Sequence, residues 1–272
     1  MRRVAILLCV LAIDPCPLTF HLAAAQAAAE PRTAPEIEVF MRTAKVVRSK
    51  ELSTGITRPL RLTLTDGTTT HDAVFQAIDE KKSVFVPQHG ATEINFVDSW
   101  RYNVAAYRLS AAVGLDWMMP VTIEYQYRGR RGALAWFMDS VTDERRRLKE
   151  KVRPPDVQAW NEDMYRMRVF SSLVRDSDRN LGNVLVSPAW RVIMVDFTRA
   201  FRLHPVIDVK EINQCERELL ARLEALTPAL LKNAVGEYLT APEADAVMKR
   251  RDLIVAHVRT LITQRGEDKV LY

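Results

Sequence analysis

The sequence predicts an α+β fold in two lobes: an antiparallel, sheet-rich first half and a helical second half. Three observations predict it. Apolar residues alternate early, with Leu60, Leu62 and Leu64 standing between Arg61 and Thr63 ahead of a tight-turn signal at Asp66-Gly67. After Pro154-Pro155-Asp156 the apolar spacing lengthens to a helical period, placing Trp160, Met164, Met167 and Val174 on one side. Between helical stretches, Asp178-Arg179-Asn180-Leu181-Gly182-Asn183 leads into a short apolar hairpin that ends at Asp196-Phe197-Thr198.

The elements follow in order. Residues 1–27 have the layout of an export signal: basic Arg2-Arg3, an apolar run from Val4 to Ile13, and the small-x-small site Ala25-Gln26-Ala27. A buried or disordered tail, or a misassigned start codon, accounts for the same residues. Neither Leu7-Leu8 before Cys9 nor Asp14-Pro15 before Cys16 offers the small residue that lipoprotein processing needs. Export places the protein in a periplasm or outside the cell; with a misassigned start it is cytoplasmic. No apolar run approaches the roughly 20 residues of a membrane span, so no transmembrane segment is expected.

Residues 28–35 read as an Ala/Pro-rich linker, and residues 36–138 as the first lobe. That lobe opens with a helix over 36–50, with Ile37, Phe40, Met41, Ala44 and Val47 on one side. Ala73 to Ile78 is the next strand, and Ser83 to Val86 extends the sheet. Asp98 is placed to cap a helix from Ser99 to Val113 that Gly114 stops. Strands over 121–127 and 132–138 flank the Arg128-Gly129-Arg130-Arg131 turn. The second lobe, 139–272, holds the helix ending near Val174, the loop and hairpin, and helices over 212–226, 228–239 and 243–264.

Composition narrows the function classes. The chain of 272 residues carries a formal charge of +5, which tolerates acidic partners without demanding them. Removing Arg2, Arg3 and Asp14 lowers that charge by one. The mixed-sign stretch from Asp143 to Arg153 reads as a solvated helix face, and no basic stripe is interleaved with aromatics, so nucleic acid is not an expected partner. Cys9 and Cys16 leave with the leader; Cys215 alone builds neither a disulfide nor a zinc site and reads as a small core residue on a helix. His71, His89, His204 and His257 have no metal spacing, and hydrolase motifs of the Gly-x-Ser-x-Gly and His-Glu-x-x-His kinds are absent. Trp100, Trp117, Trp136 and Trp160 read as core.

The chemistry sits in residues 178–198. An Asp, an Asn five positions later and a second Asp after two strands make a compact oxygen-ligand set. It suits positioning a hydroxyl and holding Mg2+ on a triphosphate. The flanks Val184-Leu185-Val186 and Val192-Ile193-Met194-Val195 are apolar enough to make a buried floor. By spacing alone, an Asp/Asn-rich surface loop on an ordinary hairpin fits as well.

The residues also carry a resemblance. Asp178-Arg179-Asn180-x-x-Asn183 followed by Asp196-Phe197 resembles the catalytic loop and Asp-Phe-Gly element of phosphoinositide 3-/4-kinase-like proteins, whose Asp-Arg order differs from the His-Arg-Asp of ordinary protein kinases. Asn103-Val104-Ala105-Ala106-Tyr107, then Pro120-Val121, is similar to the atypical kinases of the secretory pathway. The similarity spans about Leu60 to Arg202. It implies a two-lobed protein-kinase-like fold binding ATP or another nucleotide with Mg2+. Asp178 would be the catalytic Asp, Arg179 the organiser of its loop, and Asn183 and Asp196 the metal ligands.

The sequence departs from that pattern where a Lys–Glu ion pair is expected. Gln76 stands for the phosphate-contacting Lys and Asn103 for its Glu partner, so both halves are amides. Losing one half would strand a buried charge, whereas losing both leaves a neutral pair able to hydrogen-bond. Lys81 and Lys82 are alternative cations, but such pairs are usually solvated turn residues. Thr198 replaces the Gly of the metal motif, and Gly55 is a candidate for a reduced phosphate loop or a plain turn. The expected function is Mg2+-dependent phosphoryl transfer from a nucleotide to an unidentified protein, lipid or small-molecule hydroxyl. The alternative is an exported pseudokinase that binds a ligand or partner without catalysis.

Overall fold

In the computed structural model the described residues are 33–52, 58–86 and 92–272. The expected leader, the linker up to residue 32, and Gly55 lie outside them. Thr33 opens helix α1 (Ala34–Thr43) with a capping box: the Glu36 carboxylate accepts from the Thr33 backbone N–H at 2.7 Å. The linker expected to reach residue 35 therefore ends inside this helix. Phe40 and Met41 are buried, as the helical period requires. The helix stops seven residues short of the expected end at position 50. Ala44 turns extended, and the β-branched pair Val46-Val47 enters strand β1 (Lys45–Glu51), leaving Val47 58% exposed rather than in the core.

Strands β2 (Leu60–Thr65) and β3 (Thr70–Gln76) form the hairpin that Asp66-Gly67 signals; Asp66 Oδ1 accepts from the backbone of Thr68 and Thr69. The Ser83–Val86 segment does not extend that sheet. Its Ser83–Phe85 part belongs to β4 (Asp79–Phe85), which among the described residues pairs with β5 (Glu93–Ser99) alone, in a separate two-stranded sheet. Asp98 is accordingly a strand residue and not a cap. Helix α2 (Arg101–Ala112) starts after Trp100, whose side chain makes no cap; Ser99 Oγ accepts the Arg101 N–H at 3.4 Å instead. Strands β6 (Thr122–Tyr127) and β7 (Arg130–Trp136) complete a five-stranded antiparallel sheet in the order β1-β2-β3-β7-β6. Gly132 on β7 lets the strand pass close to β3: a Cβ there would lie 2.4 Å from the Gln76 carbonyl oxygen.

The second lobe begins with β8 (Thr142–Asp143) and α3 (Glu144–Lys149). Its Glu144 is buried and paired in a double hydrogen bond with Arg147, so this face is not simply solvated. Helix α4 (Val157–Val174) buries Trp160, Met167, Phe170 and Val174. Its buried Asp163 receives both Nε and NH2 of Arg191, NH1 of Arg166 and the Val192 N–H. These bonds pin strands β9 (Val184–Val186) and β10 (Val192–Met194) to the helix, and β8 completes their three-stranded sheet. Helices α5 (Arg217–Ala225), α6 (Pro228–Val235) and α7 (Ala241–Arg265) finish the lobe. Cys215 is buried as expected, but it precedes α5 and bridges to Leu271 instead of lying on a helix. Trp117 is 39% exposed under the guanidinium of Arg191 and so is not core, whereas Trp100 and Trp160 are. No helix among the described residues is long and apolar enough to cross a membrane.

Candidate active site

The loop from Asp176 to Asn183 is shaped by its own polar side chains. Asp176 Oδ1 accepts the Asp178 N–H at 3.0 Å, and Asn180 Oδ1 accepts the Gly182 N–H at 2.9 Å, closing two short turns. Arg179 turns inward. Its NH1 donates to the carbonyls of Asn183 (2.6 Å) and Val195 (2.7 Å), and its NH2 meets the fully buried Asp176 carboxylate at 2.5 Å. The guanidinium lies 4.2 Å from the centre of the Phe197 ring. One side chain thus ties the loop to the end of the hairpin. Arg179 does not line the cavity described below, and its contacts make it a positioning residue.

Asn183 and Asp196 arrive on neighbouring backbone, since the Val195 N–H donates to the Asn183 carbonyl at 3.1 Å. Asn183 Nδ2 donates to the Asp178 carbonyl at 3.0 Å, which leaves the amide oxygen as its free ligating atom. Asp196 holds φ +57°, a left-handed backbone that costs energy in a residue with a Cβ and recurs at functional positions. Burial, the largest influence, pushes its carboxyl above the ordinary carboxylate range, and the nearby Asp178 charge adds to this. The Thr198 hydroxyl, donating to Asp196 Oδ1 at 3.1 Å, and the Arg179 charge oppose it. Thr198 is buried, and its carbonyl accepts the Ser99 N–H, fastening this segment to the end of β5.

The first lobe contributes the amide pair. Asn103 Nδ2 donates to Gln76 Oε1 at 2.6 Å, and Asn103 Oδ1 accepts the Phe197 N–H at 2.6 Å. A chain of hydrogen bonds therefore runs from β3 through α2 into the Asp196-Phe197 element. Lys81 and Lys82 do not replace the missing cation. Both are exposed on β4, and Lys82 pairs with Glu80.

A cavity of about 410 Å³ lies where these parts meet. Gln76, Asn103, Asn183 and Asp196 line it, between apolar walls that include Val74, Leu185 and Met194. Asp196 is its only charged lining residue among those described; no Lys or Arg borders it. Asp178 is beside the cavity and not on its wall. Leu185 and Met194 of these walls fall in the flanks that the sequence marks as a buried floor, and Trp136–Met138 ends the strand read over 132–138. That this strand end and Val74 line a cavity is not visible in the sequence, where the only signal is the continuous apolar run Ala133–Met138. Among the described residues no three His, Cys, Asp or Glu side chains cluster as a metal cage. Asn183 and Asp196 instead fit a hard divalent cation that shares its coordination with ligand oxygens, the usual arrangement for Mg2+ on phosphates.

No family model and no curated protein matches the sequence. Solved structures do resemble the fold. A hydra Fam20 solved with sugar superposes with a TM-score of 0.65 at 14% identity, covering 88% of this chain and 92% of that one. The Golgi casein kinase gives 0.63 at 12% identity, covering 88% of this chain and 79% of that one. The same kinase with Mn and ADP bound gives 0.64 at 12% identity and the same coverage. The chain has a protein-kinase-like fold, with an antiparallel β-rich N-lobe and a helical C-lobe.

Proposed function

We propose that the chain is a nucleotide-binding, kinase-like protein that carries out metal-dependent phosphoryl transfer to a hydroxyl, with the secretory and phosphoinositide 3-/4-kinase-like pattern of catalytic loop. The observation that carries this is the cavity that gathers Gln76, Asn103, Asn183 and Asp196 between apolar walls in a kinase-like fold. The Golgi casein kinase of similar fold holds Mn and ADP, which supports a nucleotide and a divalent cation as the ligands here. In this reading Val74, Leu185 and Met194 flank the base. Asn183 and Asp196 hold the cation, and Asp178 accepts the proton of the attacking hydroxyl. The cation supplies charge neutralisation on the phosphates, which the cationless wall does not. Arg179 keeps Asn183 and Asp196 in register, and Gln76 offers a neutral N–H donor in place of an ammonium.

A second reading has its own support. The Gln76–Asn103 pair is complete and neutral, so the wall facing the metal residues has lost the charged clamp. An exported pseudokinase that binds a nucleotide or partner without transfer fits that wall, and an export leader in residues 1–27 would take the protein to a compartment poor in ATP. Thermal shift and radiolabel transfer with ATP and Mg2+ or Mn2+, on the wild type and Asp196→Ala, separate the readings. Stabilisation with label transfer, both lost in Asp196→Ala, supports the enzyme. Stabilisation without transfer to protein, lipid or sugar acceptors supports the binding module. No stabilisation in either protein removes nucleotide binding.

A further inference from the structure

A second cavity, of about 450 Å³, lies against the segments that enter and leave the candidate site. Arg175 and Ser177 line it from the stretch running into Asp178; Arg202 and His204 line it from the stretch leaving Phe197. Ser177 Oγ joins the two, donating to the Arg199 carbonyl at 3.0 Å and accepting from Arg202 Nε at 3.2 Å. Behind the wall, the fully buried Arg250 donates to the carbonyls of Leu173, Arg202 and His204, and its NH2 has no partner among the described residues.

The charges here do not balance. Four arginines, Arg175, Arg199, Arg202 and Arg250, share one ion-paired carboxylate among the described residues: Glu93, which holds Arg199 and Arg202. Glu243 also lines the cavity and keeps its negative charge while it accepts from the Tyr102 hydroxyl and the Thr240 N–H. The half-buried Asp98 acts on Arg199 and Arg202, so four guanidiniums face three carboxylates and one positive charge is left over. The crowding is felt by the cations themselves. Burial, with Arg175 beside it, pulls the Arg250 guanidinium down to about 10, and burial together with Arg199 lowers that of Arg202. Arg175 is also held at φ +46°, just past the end of α4, where glycine is the unstrained choice. A costly backbone carries a guanidinium for which the described residues supply no carboxylate.

We propose that this cavity binds a compact oxyanion, a phosphate or sulfate group, held by Arg175 and Arg202, with His204 adding a hydrogen bond and Ser177 orienting Arg202. Arginine's planar fork matches such a group, and the surplus positive charge is what the group would neutralise. The proposal stands whether or not the neighbouring site transfers phosphate. The test is thermal shift and calorimetric titration of the full chain with sulfate, inorganic phosphate and free phosphoserine, in chelator and without nucleotide. Arg175→Gly is the informative variant, because glycine relieves the left-handed strain and the protein should fold at least as well. Saturable binding in the wild type, kept in Asp196→Ala, weakened about tenfold or more in Arg175→Gly and partly restored in Arg175→Lys, supports the site. Tighter binding of phosphoserine than of phosphate identifies an ester as the source; equal binding identifies the free ion. No saturable response in the wild type, an unchanged response in Arg175→Gly, or loss in Asp196→Ala would overturn it.

Discussion

The segment from Asp176 to Thr198 and the pair Gln76–Asn103 meet at one cavity but are held by different means. The first is built on charge and strain: a buried Asp176–Arg179 ion pair, a left-handed Asp196, and a carboxyl that burial holds above its ordinary range. The second is built on two neutral amides in line with a backbone N–H. A buried ion pair is intolerant of losing either member, whereas an amide pair is satisfied without any ligand. In the proposed reading the floor holds the cation, and the facing wall carries no charged group among the described residues.

The largest expected effect tests the charged side. Arg179→Ala leaves the buried Asp176 carboxylate without its partner and two carbonyls without their donor, at a cost of about 3–5 kcal/mol in urea unfolding. A loss under about 1 kcal/mol would mean that the pair behaves like an exposed one and that the comparison is drawn wrongly.

The neutral side answers to a double-mutant cycle. Gln76→Lys alone places an ammonium beside an amide, Asn103→Glu alone places a carboxylate beside one, and the double variant restores a charged pair. We expect a favourable coupling of about 1–3 kcal/mol in stability and tighter nucleotide binding in the double variant than in the wild type. Additive single effects, or unchanged nucleotide affinity, would show that the two positions do not form the clamp.

The smallest effect is a pH dependence at the seam between the regions. Asp98, at the end of β5, has one carboxylate oxygen buried without a partner among the described residues. Burial pushes its carboxyl above the ordinary value of 3.8, and Asp196 adds to this while the Thr198 hydroxyl opposes it. The native state then holds a proton that the unfolded state releases, so stability falls as pH rises from 3.8 through the raised value, and the cost stays in place at neutral pH. Asp98→Asn should raise the melting temperature at pH 7, with the gain shrinking as the pH is lowered toward 3.8. A variant less stable than the wild type at pH 7 would contradict this.

These regions differ as well in how far the sequence discloses them. Asp178, Asn183 and Asp196 lie within 20 residues, and their spacing and apolar flanks can be read in one window. The β2–β3 hairpin is legible for the same reason, through the alternation at Leu60, Leu62 and Leu64 and the Asp66-Gly67 turn, and the β6–β7 hairpin through its Arg128-Gly129 turn between two apolar strands. The β4–β5 hairpin is not, because Asp79-Glu80-Lys81-Lys82-Ser83 is exposed throughout and shows no alternation. The helix expected to run to residue 50 fails because Val46-Val47 serves a sheet edge that only the distant β2 defines. The bond from Phe197 to Asn103 spans 94 positions, and the arginine cluster joins Arg175, Arg202 and Arg250 from separate elements, beyond the reach of any local pattern.

Calorimetric titration of ADP into the full chain, with Mn2+ and with chelator, for the wild type and Asp196→Ala, tests the central claim most directly. A cation-bearing floor beneath a wall without cations predicts binding that requires the metal and is lost in Asp196→Ala. Equal binding in chelator, equal binding by Asp196→Ala, or no binding by the wild type under any of these conditions would contradict it.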